Sequence, residues 1–268
     1  MKYNDIIYEK EDNGICTITL NRPNRKNSLT PVTFIEIEQV LDDMEADKNA
    51  KVLILTGCEE ANAFSSGGSF VSFASTPSEL KNKIDPADMA QKRLALRFWE
   101  FYKPVITVIN GLAVGAGITM PLIASDLIYM SEDAWLGYYF IKRCIVAEFA
   151  SNFLLPFYVG FQKAKEIVYF GDKISALEAE KLRLVNKVLP KEKVLPYARE
   201  QALKLIPPKG PGLAIKLIKK TMHSYFSPIL KKILDLENQS IAKAIKTRDF
   251  RESAMALKAK REPKFRGK

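Results

Sequence analysis

Residues 105–117 read VITVINGLAVGAG, and the class of fold follows from this segment. Val105 to Ile109 are β-branched or apolar, as in a buried strand, and Asn110-Gly111 ends the run. Small residues follow and lead into an apolar segment beginning near Ala116, which predicts a helix. A strand that passes through a glycine-rich turn into a helix indicates an α/β protein.

The same alternation of strands and helices extends along the chain in both directions. Residues 15–20 (ICTITL) alternate as a strand does and are closed by the turn cluster NRPN. Thr30-Pro31 supplies an N-cap and a proline at the first helical position, so a helix is predicted to run to about Ala46. The other predicted elements are strands at 52–55, 127–130 and 185–188, helices at 86–102 and 153–169, and a helix opened by the capping box at 175–178.

The C-terminal quarter of the chain has a different pattern. Beyond Pro190 the sequence predicts three or four amphipathic helices and no further strand. These helices are broken around Pro207, Pro208, Pro211 and Pro228. We therefore expect an α/β core over residues 1–200 and a helical region over 201–268, without a flexible linker between them.

Composition limits the class of protein. The 268 residues are 47% hydrophobic and 27% charged, enough for one large core. No apolar run approaches the roughly 18 to 20 residues that span a bilayer, and the first residues resemble no signal peptide, so a soluble cytoplasmic protein without a membrane partner is expected. Three scattered cysteines predict no disulfide framework, and a single histidine, His223, provides neither a hydrolytic triad nor a metal site.

The formal net charge of +10 is unevenly distributed. Residues 201–268 hold 17 Lys and Arg against 5 Asp and Glu, so the first 200 residues sum to −2. A basic end of this kind fits a phosphorylated ligand, an anionic subunit face, nucleic acid or simply a solvated helix surface. Charge alone does not choose among these partners.

Two loops of small residues are the candidate catalytic elements. Residues 63–70 read AFSSGGSF, and residues 110–117 read NGLAVGAG and run into a helix N-terminus, where backbone N–H groups are unpaired. If the two loops converge, their N–H groups form an oxyanion hole, in which one donor is worth about 3 to 4 kcal/mol of transition-state stabilisation. The alternatives are a flexible surface turn for the first loop and close helix-on-sheet packing for the second.

The chain resembles the crotonase (enoyl-CoA hydratase/isomerase) superfamily. The resemblance lies in these two loops, in the motif NRP…NSL before them, and in DFRES…KREPKF at the C-terminal end. The resemblance implies a ββα-spiral core, a C-terminal helical trimerisation region, and a homotrimer or a dimer of trimers. It implies an acyl-CoA substrate, with coenzyme A entering as part of that substrate and no other cofactor. Neither a metal nor a nucleic-acid partner is expected.

The resemblance also assigns site residues. It makes the backbone N–H groups of Ser66 and Ala116 the oxyanion donors, and it places Arg25 and Lys26 at the nucleotide end of coenzyme A, although a solvated basic turn is the alternative there. The remaining substrate contacts that it implies are Phe64, Ser65, Gly67, Gly68, Ser69, Phe70 and Gly115 in the loops, Tyr138, Tyr139 and Phe140 along the acyl chain, and basic residues of the helical end such as Lys260 and Arg261 at the phosphates.

The carboxylates indicate which reaction to expect. Enoyl-CoA hydratases use two glutamates, and the matching positions here are Thr119 and Phe140, neither of which can act as a general base. Glu148, in the apolar segment AEFASN, resembles the single proton-shuttling glutamate of Δ3,Δ2-enoyl-CoA isomerases. Burial beside Phe149 and Phe153 would raise its pKa towards that of a general base. The alternative role for Glu148 is a helix-start carboxylate favoured by the helix dipole.

The expected function is therefore a 3-enoyl-CoA to 2-enoyl-CoA isomerase of fatty-acid β-oxidation that stabilises a thioester enolate. Two departures from the isomerase pattern are that Phe149 follows the glutamate and that Ser69 replaces the usual acid of the first loop. One alternative is another crotonase reaction on a specialised acyl-CoA, such as hydration, hydrolysis or decarboxylation. The other is a non-catalytic module that binds RNA or protein through its basic helical end.

Overall fold

The computed structural model describes residues 3–69, 76 and 78–268, and this part of the chain folds as two β-sheets surrounded by helices. The strands are β1 (Ile6–Lys10), β2 (Ile15–Leu20), β3 (Val52–Gly57), β4 (Ala63–Ser65), β5 (Val105–Ile109), β6 (Leu112–Val114), β7 (Leu127–Ser131), β8 (Trp135–Gly137), β9 (Lys173–Ser175) and β10 (Lys187–Leu189). The helices are α1 (Pro31–Ala46), α2 (Ser78–Lys81), α3 (Lys92–Glu100), α4 (Ala116–Ala124), α5 (Ser151–Val159), α6 (Phe161–Phe170), α7 (Ala176–Lys181), α8 (Lys191–Leu205), α9 (Gly212–Ser224), α10 (Ser227–Ala244) and α11 (Arg248–Lys258).

The larger sheet has the strand order β1-β2-β3-β5-β7-β10. Only β1 is antiparallel to its neighbour; the other pairs are parallel. Every residue of β3 and β5 is buried, because the main core covers one face of these strands and α8 covers the other. The continuous apolar runs in the sequence reflect this burial on both faces.

The smaller sheet has the order β4-β6-β8-β9 and explains how the two loops meet. Three successive strand pairs, β3–β4, β5–β6 and β7–β8, each contribute one strand to the larger sheet and the next to the smaller one. Strands β4 and β6 are parallel neighbours, with Ala63 opposite Leu112 and Ser65 opposite Ala113. The segments that follow these two strands therefore leave the sheet at the same edge.

Several predicted helix boundaries need correction. The N-cap at Thr30 is confirmed, since its side chain accepts the Thr33 N–H at 3.2 Å. The single helix expected at 153–169 is instead two helices, α5 and α6, because Gly160 has φ +79° and ψ 158° and interrupts the helical backbone. The helix expected at 86–102 is confined to α3.

The boundary expected at residue 200 falls inside a helix. Helix α8 crosses this position and packs on β3, β5 and β7, so it belongs to the α/β core. Helix α9 is attached to the core by an ion pair in which Nζ of the buried Lys219 lies 2.9 Å from Oδ2 of Asp126. His223 also contributes, because its ring stacks on Trp99 with centroids 3.9 Å apart. His223 is thus a packing residue between α9 and the core.

No helix among the described residues combines the length and apolar character needed to cross a membrane.

Candidate active site

The first loop is fixed to the turn at residues 25–27. The Ser66 N–H donates to the Lys26 carbonyl at 2.9 Å, and the Ser66 hydroxyl donates to the Arg25 carbonyl at 3.3 Å. Ser65 Oγ donates to the Asn27 carbonyl at 2.8 Å and accepts the Gly67 N–H at 3.1 Å. These bonds occupy the amides of both Ser66 and Gly67.

The assignment of Ser66 as an oxyanion donor is therefore wrong. A backbone amide has one hydrogen, and that of Ser66 is directed at Lys26. The next amide without an acceptor among the described residues is that of Gly68, which is exposed and whose Cα faces open space. Gly68 was expected to contact substrate; the hydrogen bonds make its N–H the available donor of this loop.

The second loop presents the amide of Ala116. Gly115 adopts φ +56°, a conformation that suits glycine, and α4 begins at the next residue. No acceptor is found for the Ala116 N–H in the described part of the chain, as expected for the first residue of a helix. The predicted role of Ala116 as a donor agrees with this geometry.

The two loops are in direct contact through Gly67. A Cβ added to Gly67 would lie 2.5 Å from the Val114 carbonyl oxygen and 3.5 Å from the Ala116 nitrogen. The amides of Gly68 and Ala116, which have no acceptor in the described part of the chain, thus lie on neighbouring segments, with open space beside Gly68. Two converging, unpaired N–H groups form a site for a developing negative charge.

Gly67→Ala and Gly68→Ala are expected to differ sharply. The alanine methyl at position 67 meets the Val114 carbonyl, and φ there is +92°, so we expect a loss of about 1–3 kcal/mol in the free energy of unfolding. At position 68 no atom lies within 4 Å of the added Cβ, and the stability should change little. Chemical denaturation of both variants measures the difference; equal stabilities would contradict the close approach of the two loops.

Phe140 is an aromatic residue that reaches this site. Its Cζ atom lies 3.8 Å from the position of a Cβ on Gly115. Tyr139, expected to line the same pocket, is partly exposed and packs against Trp135, and Lys142 Nζ lies 4.4 Å from its ring centroid. Tyr138 is fully buried, and its hydroxyl has no partner among the described residues.

The other residues expected at the site are placed as follows. Phe64 is buried in the main core, Ser69 donates its N–H to the Leu29 carbonyl at 2.7 Å, and Arg25 and Lys26 have exposed side chains beside the first loop. The guanidinium of Arg261 is bound by the Glu252 carboxylate. Phe70 lies outside the described residues.

Glu148 precedes α5 in an unusual backbone segment. The next two residues, Phe149 and Ala150, both have left-handed backbones, with φ of 57° and 56°. Such conformations cost non-glycine residues about 1–3 kcal/mol each and occur most often where function requires them. The segment is held from outside by a hydrogen bond from the Phe149 N–H to the Ala90 carbonyl at 3.2 Å.

The carboxyl group of Glu148 has no hydrogen-bond partner among the described residues, and the residue remains partly exposed. Desolvation by the surrounding core, followed by the charge of Glu237, raises the pKa of Glu148 to about 8. A structural carboxylate is normally hydrogen-bonded, whereas a general base needs an unoccupied oxygen and a pKa near the working pH. Glu148 has both properties of a base.

Glu237 on α10 is a second carboxylate here, and it was not predicted. It accepts the N–H groups of Ala150 at 2.8 Å and Asn152 at 3.3 Å, and the Asn152 side-chain amide at 2.8 Å. Glu237, not Glu148, is therefore the carboxylate that caps α5. A signal for it exists in the sequence: Leu230, Leu234, Glu237 and Ile241 form one buried stripe, and a charged residue on an apolar helix face is rare.

A family model described as enoyl-CoA hydratase/isomerase matches residues 10–268, including both loops and Glu148. The chain belongs to the enoyl-CoA hydratase/isomerase family. The resemblance seen in the motifs and the α/β spiral core with C-terminal helices are thus confirmed, and the protein is an acyl-CoA enzyme of this family.

The matches to individual relatives cover nearly the whole chain. Enoyl-CoA hydratase AKT3-2 of Alternaria alternata is 32% identical and covers 94% of this chain and 83% of its own. The 1,2-epoxyphenylacetyl-CoA isomerase of Escherichia coli K12 is 29% identical, and the match covers 98% of this chain and 99% of the relative. The crystal structure of enoyl-CoA hydratase from Bacillus anthracis matches with a TM-score of 0.73 and 29% identity. The match covers 99% of this chain and 100% of that one. The crystal structure of an enoyl-CoA hydratase/isomerase from Pseudoalteromonas atlantica T6c matches with a TM-score of 0.85 and 24% identity, covering 98% of this chain and 100% of that one. At this identity the match is evidence for the fold alone.

Thr119 and Phe140, the two positions that the resemblance matches to the hydratase glutamates, carry no acid. Thr119 is fully buried, and its hydroxyl is 3.4 Å from the Gly115 carbonyl of its own helix. Phe140 places a hydrocarbon ring beside Gly115. Neither side chain can deprotonate a water molecule next to the Ala116 amide.

Proposed function

We propose that this enzyme shifts the double bond of a 3-enoyl-CoA to the 2-position, with Glu148 as the proton shuttle. The observation that carries the proposal is the partly exposed Glu148 carboxyl, which has no hydrogen-bond partner in the described structure and has a pKa raised to about 8. Isomerisation needs one base that removes a proton from the α-carbon and returns it at the γ-carbon. No redox cofactor takes part in such a proton transfer.

The amides of Gly68 and Ala116 supply the second requirement. Removing the α-proton converts the thioester carbonyl into an enolate, whose oxygen gains negative charge. Two N–H groups fixed by the β4–β6 pairing bind this oxygen more strongly than the neutral carbonyl, so they stabilise the enolate selectively. The bonds from Ser66 to Lys26 and from Gly67 to Ser65 hold the loop for this purpose without using the Gly68 amide.

Coenzyme A is proposed to lie along the exposed Arg25 and Lys26 side chains. Their backbone carbonyls bind the first loop, so cations suited to phosphate groups lie on the same turn that fixes the oxyanion donor. A homotrimer or dimer of trimers, as the family resemblance implies, remains the proposed assembly.

The test is the ultraviolet absorbance of the conjugated thioester when purified enzyme is mixed with 3-hexenoyl-CoA, with crotonyl-CoA hydration followed in parallel. We expect conjugation of 3-hexenoyl-CoA and no hydration above background, because Thr119 and Phe140 replace the hydratase acids. Hydration without isomerisation would overturn the proposal. Binding of coenzyme A without either reaction would favour a different reaction that passes through an oxyanion, such as decarboxylation or hydrolysis of an acyl-CoA.

A further inference from the structure

Glu237 makes contacts that the isomerase mechanism leaves unexplained. A buried carboxylate is costly unless it is paired or hydrogen-bonded, and Glu237 is only 3% exposed. It has no cation within ion-pair distance among the described residues; its partners are the N–H groups of Ala150 and Asn152 and the amide of Asn152. All of these groups lie within four residues of Glu148. The groups that compensate the burial of Glu237 therefore all lie in the segment that carries the candidate base.

We propose that Glu237 is a positioning residue for Glu148: it fixes the left-handed Phe149–Ala150 segment through backbone N–H groups and sets a negative charge beside the Glu148 carboxyl, so that the two carboxyls titrate as a pair. This inference rests on the proposed role of Glu148 as the base. It adds that α10, remote in sequence, controls when that base is ionised.

The hydrogen bonds assign the two carboxyls different tasks. Three N–H donors directed at Glu237 favour its ionised form, whereas Glu148 has no donor in the described structure to stabilise its charge. When one proton is shared, it therefore resides mainly on Glu148. Burial raises the pKa of both groups, to about 8 for Glu148 and about 7 for Glu237, in the order that this donor arrangement requires.

Other charged groups around the pair are already engaged. On the approach to α3, Asp88 accepts the N–H groups of Lys92 and Arg93 and the side-chain amide of Asn238. Lys92 forms an exposed ion pair with Asp235 at 2.5 Å. Glu237 is the one charged group that contributes to the raised pKa of Glu148 in the described part of the chain.

The direct test follows the side-chain carboxyl carbons of 13C-labelled glutamate by NMR as a function of pH, in the intact enzyme without substrate. In Glu237→Gln we expect the Glu148 titration to move to lower pH by about one unit, a tenfold change in its ionisation constant, because a neighbouring negative charge is removed. Glu36→Gln is the matched control: Glu36 also accepts backbone N–H groups, from Asn4 and Asp5, and should leave the Glu148 titration unchanged.

The wild type and Glu148→Gln cover the case in which Glu237→Gln does not fold. Glu237 is expected to lose its proton first, while Glu148 is still neutral, so in the wild type the Glu237 carboxyl should titrate at lower pH than the Glu148 carboxyl, and Glu148→Gln should remove only the upper step. A Glu148 carboxyl that titrates below Glu237 in the wild type, or an unmoved Glu148 titration in Glu237→Gln, would overturn the pairing. These titrations need no turnover, so they decide the proposal even if the isomerase assay fails.

If the isomerase is active, its pH profile provides an independent readout. The rising limb of kcat/KM, which reports ionisation of the free enzyme's base, should move to lower pH in Glu237→Gln. A purely structural role for Glu237 would lower kcat/KM at all pH values and leave the midpoint unchanged. Glu237→Asp, which keeps the charge, should retain the wild-type midpoint.

Discussion

Glu148→Gln is expected to lower kcat for the isomerisation of 3-hexenoyl-CoA by about 10²- to 10⁴-fold, the usual contribution of a general base. Glutamine has nearly the same shape, and Glu148 makes no side-chain hydrogen bond in the described structure, so coenzyme A affinity should be retained. The absorbance assay measures kcat, and calorimetry measures coenzyme A binding. Glu36→Gln, the same substitution at a carboxylate outside the site, should keep wild-type activity. A loss of less than tenfold in Glu148→Gln would remove Glu148 from the mechanism.

The same substitution should stabilise the fold at alkaline pH. The pKa of Glu148 is raised from 4.5 to about 8, so the folded state holds its proton more tightly than the unfolded state. The stability that this gives is fully present below about pH 4.5 and is lost as the pH rises through about 8. Glu148→Gln cannot lose that proton, so its Tm should exceed that of the wild type at pH 9 and match it at pH 4. A lower Tm at pH 9 would mean that Glu148 supports the structure.

Gly68→Pro is expected to lower kcat by about 10²- to 10³-fold, because proline removes the N–H group proposed to bind the enolate oxygen. Gly68→Ala is the matched control, since it keeps the amide and its Cβ enters open space. Both variants should bind coenzyme A, and circular dichroism should show the same helix content.

A comparable loss in Gly68→Ala would show that the glycine serves loop conformation, not hydrogen bonding. Equal activity of Gly68→Pro and wild type would return the oxyanion role to another amide of the first loop. Ser66 would then need to break its 2.9 Å bond to the Lys26 carbonyl before it could donate.

The elements that the sequence predicts well are those fixed by local periodicity. Strand β2 at residues 15–20 and strand β5 at 105–109 are confirmed to the residue, because their apolar runs end at turn clusters that no strand can include. The division of residues 153–169 into two helices depends on Gly160, and glycine in a helical pattern leaves both outcomes open. The resemblance to the family also assigns the proposed roles of Ala116 and Glu148.

The site details that the sequence misses depend on contacts between distant segments. Four small residues in a row, 65–68, do not reveal which amide is free, because that depends on the carbonyl of Lys26 some 40 positions away. Glu237 likewise reaches the Glu148 segment only through the docking of α10. Its position on an apolar stripe indicates burial but not the partner.

The attachment of α10 to the Glu148 segment also has a consequence for biosynthesis. The N–H groups of Ala150 and Asn152 have their acceptor on a helix formed by residues 227–244, which leave the ribosome about 80 residues later. Until that helix docks, the left-handed turn after Glu148 lacks the bonds that offset its strain. In a nascent chain the segment that carries the proposed base is therefore fixed only after α10 has been synthesised and has docked.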